Sequence, residues 1–191
     1  MNAALRLSWY KFKHHYMDFV KVLLGIVAFE GLILYIQDKG FLKDFETTRM
    51  TLFLLLFSTS LLIVVQNSIY ISKERSVLNR DFFSGLSRSA FALASMGIHA
   101  FFAVLETIVF ILSYSVFSKF FDKEFPDAGH IFGSYRWEVG ITVLLVFLAS
   151  HFIALFISAL VGKSEITSVI LAVVVGIMQF SCLLYTSPSP R

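Results

Sequence analysis

Long apolar runs alternate with short charged segments along nearly the whole chain. Four runs, at about 20–36, 51–71, 89–117 and 139–161, contain no proline, and a fifth begins near Ile166. A helix needs roughly 20 mostly apolar residues to cross the hydrocarbon core of a bilayer. The four runs meet or nearly meet that length, and the third is long enough to tilt or to start at the interface. None shows the two-residue alternation of a transmembrane β-strand. The pattern predicts an all-α, polytopic helical membrane protein: a single transmembrane domain over residues 1–181, with about five membrane helices. The first apolar run starts late and leads to no small-residue cleavage site, so no secretory signal peptide is expected.

The stretch before the first span, residues 5–19, reads LRLSWYKFKHHYMDF. Its aromatics interleave with Arg6, Lys11 and Lys13, the composition of an interfacial amphipathic helix on an anionic membrane face. His14 and His15 are adjacent and point to different helix faces, so they make a poor metal pair.

Composition supports the membrane reading. Hydrophobic residues make up 57% of the 191 residues and charged residues 15%, with 22 phenylalanines. A soluble domain carries roughly 25% charged residues, and a chain this apolar cannot cover a water-facing surface. The net charge of +3 is too small to suggest nucleic acid as a partner. The single cysteine, Cys182, allows neither an internal disulfide nor a cysteine metal site.

Residues 182–191, CLLYTSPSPR, hold that cysteine and two of the three prolines, and they follow an apolar run that stops mid-span. The string resembles, residue for residue, the translation of a transposase-type sequencing adapter. It is expected to be a non-native tail on a fifth span (166–181) that is cut short, with the natural protein continuing beyond Ser181.

Orientation follows from lysine and arginine in the flanks. The N-terminal segment, the 72–88 loop and Lys163 together carry nine. The opposite loops carry six, mixed with Asp38, Asp44, Glu46, Asp122, Glu124, Asp127 and Glu138. This bias places the N terminus and the 72–88 loop in the cytoplasm of a cell (plasma or inner) membrane protein.

That loop continues into the third span as SKERSVLNRDFFSGLSRSAFALASM, Ser72 to Met96. Charges at Lys73, Glu74, Arg75, Arg80 and Asp81 interleave with Val77, Leu78, Phe82 and Phe83, and Gly85 breaks the pattern. Two readings fit: an amphipathic helix along the membrane that can dock on a partner, or a plain basic loop.

The residues Lys73-Glu74-Arg75, Asn79-Arg80-Asp81 and Ser84-Gly85-Leu86-Ser87, followed by a Phe-rich helix start, resemble the first intracellular loop of ABC transporter permeases of the type-2 exporter, ABCG-like family. Asp81, Phe91 and Met96 depart from the Glu, Tyr and Lys often found there. The basic N-terminal segment resembles that family's elbow helix, with Asp18 where an acidic residue often precedes the first span. Ser158-Ala159-Leu160 and Lys163-Ser164-Glu165 resemble its turn between the fourth and fifth spans. The resemblance covers nearly all of residues 5–181.

It implies a membrane domain working as a homo- or heterodimer, which couples ATP hydrolysis by a nucleotide-binding domain or subunit to outward transport. The coupling residues would be Glu74, Arg75, Arg80, Asp81 and Gly85. No G-x-x-x-x-G-K-[ST] occurs in the chain, so ATP and Mg would bind the partner ATPase and no cofactor this chain. The alternatives are a membrane protein without ATP coupling (a channel, a secondary transporter or a membrane-embedded enzyme) and a subunit that transports nothing.

Ionisable residues inside spans are functional candidates because lipid penalises them. Glu30, His99 and Glu106 stand out, with Gln66, Asn67 and His151 behind them. His99 and Glu106 lie seven residues apart, near one helical face. They could bond neighbouring helices, face a water-filled cavity, contact substrate or carry a proton. There is no H-E-x-x-H, G-x-S-x-G or D-x-D arrangement, so no catalytic residue is assigned. The 118–138 loop, with His130, reads as a small cap.

Overall fold

The computed structural model describes Tyr10 and residues 16–37, 45–73, 75–122, 133–161 and 164–185. Every regular element among them is helical: α1 (Tyr16–Ile36), α2 (Phe45–Asn67), α3 (Tyr70–Lys73), α4 (Arg75–Phe83), α5 (Arg88–Phe120), α6 (Tyr135–Leu160) and α7 (Glu165–Tyr185). Four stretches are long and apolar enough to cross a membrane: Tyr16–Ile36, Thr47–Lys73, Arg88–Phe120 and Tyr135–Leu160. Glu165–Met178 is a shorter apolar helix. At 33 residues α5 runs about 50 Å, well beyond the ~30 Å hydrocarbon core.

Most of the expected interfacial helix, with His14 and His15, lies outside the described residues, as do His130 and most of its loop. Tyr16–Phe19 forms the first turn of α1, where Asp18 pairs with Lys21 at 2.9 Å. The apolar run 51–71 is divided: α2 stops at Asn67, and α3 restarts the helix at Tyr70.

The four long helices contact one another in a ring, α1 to α2, α2 to α6, α6 to α5 and α5 to α1, and α7 lies outside against α2 and α6. The core draws on all four: Ile26 and Leu34, Leu55 and Ile63, Ala103 and Phe110, and Val143 and Phe147. A smaller cluster of Val64, Ile157, Val161 and Ala172 fastens α7. Large apolar side chains such as Leu24, Leu112, Leu145 and Phe156 point outward, as a lipid-facing surface requires.

Many polar groups point inward, and several of the small ones are satisfied locally. The hydroxyls of Thr51, Thr59, Thr107 and Ser150 donate to the carbonyl four residues back at 2.7–2.8 Å. At the break between α2 and α3 local bonds meet only part of the need: the hydroxyls of Ser68 and Ser72 donate to the carbonyls three residues back at 2.8 and 3.2 Å. There the fully buried Ser158 of α6 accepts from the backbone N–H of Ile71 at 2.8 Å and of Ser72 at 3.1 Å. Ser168 of α7 donates to the hydroxyl of Ser72 at 3.2 Å. Three serines thus tie α3, α6 and α7 together.

Ser158→Ala leaves two N–H groups without an acceptor and should destabilise the fold by about 1–3 kcal/mol. Detergent-titrated unfolding followed by circular dichroism would read this, and Ser150→Ala, which strands no other group, is the matched control.

Candidate functional site

Two regions concentrate polar chemistry: the helical loop α3–α4 with the start of α5, and the interior of the α5–α6 pair.

The loop is attached to the spans at a few points. Leu78 is only 2% exposed and anchors α4. The half-buried Arg75 guanidinium donates to the carbonyls of Ala159 (3.4 Å) and Val161 at the end of α6. A cation on these last carbonyls satisfies groups that a helix end leaves open. Of the residues predicted for coupling, Arg75 is therefore committed to holding the loop in place. Arg80 is exposed, and Glu74 lies outside the described residues.

α4 ends in a Schellman turn. The N–H of Leu86 donates to the carbonyl of Asp81 (3.1 Å) and the N–H of Gly85 to that of Phe82 (3.2 Å). Gly85 has φ +106, a conformation that L-residues rarely adopt, and no atom lies within 4 Å of where a Cβ would project. Asp81 contributes chiefly through its backbone, since Ser84 also donates to its carbonyl (2.8 Å). Phe83, one of the apolar residues interleaved with the charges of this segment, is 93% exposed beside this turn.

Within the spans, His151 holds the centre. Its Nδ1 lies 3.0 Å from Nδ1 of His99 and its Nε2 2.8 Å from Oε2 of Glu106. All three side chains are at most 1% exposed. His99 and Glu106 share a face of α5, as the seven-residue spacing implies, but the link between them runs through α6. Tyr70 packs its ring edge-on to His99 at 4.8 Å. His99 Nε2 and Glu106 Oε1 have no hydrogen-bond partner among the described residues.

The Nδ1–Nδ1 contact fixes the chemistry, because only one of those nitrogens can carry the shared proton. With Glu106 ionised, His151 donates from Nε2 and His99 donates from Nδ1, which leaves His99 Nε2 a bare acceptor. One proton added at that nitrogen can pass along both bonds to Glu106 and reverse every donor. The arrangement is a polar tie between two spans whose hydrogen bonds can run in either direction.

Glu30 stands apart. It is fully buried in α1 and accepts from the hydroxyl of Ser113 in α5. Asn67 donates to the carbonyl of Ile63 at 2.9 Å and serves to finish α2, while Gln66 is half-buried. Among the described residues no cluster of three or more His, Cys, Asp or Glu could hold a metal ion.

A family profile described as ABC-2 type transporter matches residues 6–189. The chain belongs to the ABC-2 type transporter family. It is thus the multi-pass membrane component, or permease, of an ABC transporter, a part that is not itself catalytic, and family members typically pair with a nucleotide-binding partner. Comparison with curated proteins gives no match, and neither does comparison with solved structures. The match includes both regions just described.

Two outcomes check this geometry. His151→Leu leaves Glu106 Oε2 and His99 Nδ1 buried and unpaired, at about 1–3 kcal/mol for each group. Glu106→Gln should cost less because an amide can still bond His151; equal losses in thermal unfolding of the detergent-solubilised permease would refute this pairing. Gly85→Ala should cost about 1–2 kcal/mol through backbone strain alone, with faster amide exchange confined to the α4–α5 turn.

Proposed function

We propose that this ABC-2 permease is the membrane half of an exporter driven by ATP, and that the exposed side of α4 with the Gly85 turn seats the nucleotide-binding subunit. The carrying observation is the two-sidedness of α4. On one side Leu78 is buried and Arg75 is bonded to the end of α6, while Arg80 and the 93% exposed Phe83 project from the other. A loop that must transmit force needs a stiff attachment to the spans and a protruding contact, and an aromatic anchor is the usual centre of such a contact. ATP and Mg belong to the partner, and two permease chains form the working dimer. The lysine and arginine bias supports a cytoplasmic N terminus and α4 in a plasma or inner membrane.

A second reading has its own observation, the buried Glu106–His151–His99 chain. Proton-driven transport without ATP would use that path and would not need α4.

Arg80→Glu and Phe83→Asp separate the two. Both side chains are exposed, so insertion and folding should be unaffected. Copurification of an ATPase subunit and permease-stimulated ATP hydrolysis should each fall about tenfold or more, the scale of one interface hot spot. Undiminished ATP-linked transport in both variants would sink the proposed docking surface. Uptake driven by a pH gradient alone, abolished by Glu106→Gln, would establish the second reading.

A further inference from the structure

A cavity of about 570 Å³ lies where α4, α5 and the end of α6 meet. Its size is that of a ligand pocket rather than a packing defect. Its walls are graded. At the α4 end are Arg75, Asn79 and Arg88, and among the described residues no acidic side chain lines it. Toward the interior the walls are Phe91, Leu155 and Phe156. Arg75 is already spent on the carbonyls at the end of α6. Arg88 is exposed, and its guanidinium stands 5.7 Å over the Phe82 ring.

A second observation comes from Ser95. It lines the cavity and is 2% exposed, and its hydroxyl has no hydrogen-bond partner among the described residues. A buried hydroxyl without a partner is costly. Ser95 lies seven residues beyond Arg88 on α5, about 10 Å deeper along the helix axis. The cavity also meets the lipid-facing surface, where its lining residues Met96, Phe152 and Phe156 are 42%, 37% and 64% exposed.

A cation at the rim, an unanswered donor two helical turns further in and an apolar groove open to lipid match one kind of molecule in order. We propose that this cavity binds an anionic phospholipid of the cytoplasmic leaflet, its phosphate on Arg88, its glycerol ester at the Ser95 hydroxyl and an acyl chain along Phe91 and Phe156. Basic pockets between membrane helices on the cytoplasmic side hold anionic headgroups for the same reason. The first N–H groups of α5, beside Arg88, add to the attraction for phosphate. The bound lipid would wedge α4 against α5 and α6, so the stiffness of the docking loop would depend on the membrane's anionic lipid. This inference rests on the cytoplasmic placement of α4 given above.

Native mass spectrometry of the full chain, released from nanodiscs of mixed phosphatidylglycerol and phosphatidylcholine, tests it without ATP or a partner subunit. A lipid result therefore stands whichever way the Arg80 and Phe83 variants behave. Retained phosphatidylglycerol should exceed phosphatidylcholine. Arg88→Gln should reduce its retention about tenfold, the effect of losing a charge-assisted contact. Ser95→Ala should reduce it less, and Ala92→Phe, which narrows the cavity without touching charge, should remove it. Equal retention of both lipids, or retention unchanged in Arg88→Gln and Ala92→Phe, overturns the proposal. So does displacement by soluble glycerol phosphate, which would mark a site for free phosphate esters. No lipid retained, together with a crosslink from position 92 to a partner chain, would assign the cavity to a protein contact instead.

Discussion

Hydrocarbon offers a peptide group no hydrogen bond, and this constraint shapes most of the structure. Where the chain can run as unbroken helix, as in α1, α5 and α6, the backbone satisfies itself. Where it cannot, a side chain from elsewhere takes over. The short break after Asn67 relies on Ser158, and the free carbonyls at the end of α6 rely on Arg75. Both repairs join the loop helices to the same place, the α6 terminus. The unmet needs of the backbone thereby weld the loop to the spans.

The same constraint governs the ionisable side chains. Glu106, His151 and His99 are each expensive in a membrane, and none has a charged group near it in sequence to pair with. They become tolerable by pairing with one another across α5 and α6. The two hydrogen bonds tie α5 to α6 through one shared imidazole, that of His151. Glu30 is met separately and only in part: Ser113 answers one carboxylate oxygen, while Oε1 has no partner among the described residues.

The α4 loop shows how a charged connection acquires fixed attachment points. Its charges suggest a solvated connection, but Leu78 and Arg75 pin one side of it. Gly85 lets the chain leave α4 through a compact turn and enter α5 at once. What stays exposed, Arg80 and Phe83, is presented on a rigid support. Next to this support lies the cavity that reaches the lipid, so movement of α4 relative to α5 would change its shape.

The sequence by itself determined the solvent and the class. Runs of about twenty apolar residues have one stable environment, and their length and lack of proline dictate helices. It also determined the turn at Gly85, because a glycine between two periodic segments marks a backbone conformation that other residues resist. The same local pattern carried the resemblance to the ABC-2 type family. The role of His151 was not legible, since its partners lie 52 and 45 residues away and only the rotation of α6 against α5 brings them together. Arg75 and Arg80 look alike in the chain, yet one is a structural clamp and the other is free surface. That difference depends on where α6 ends in space, and no spacing rule encodes it. Local periodicity fixes which residues form helices; only the packing of those helices decides which polar groups meet.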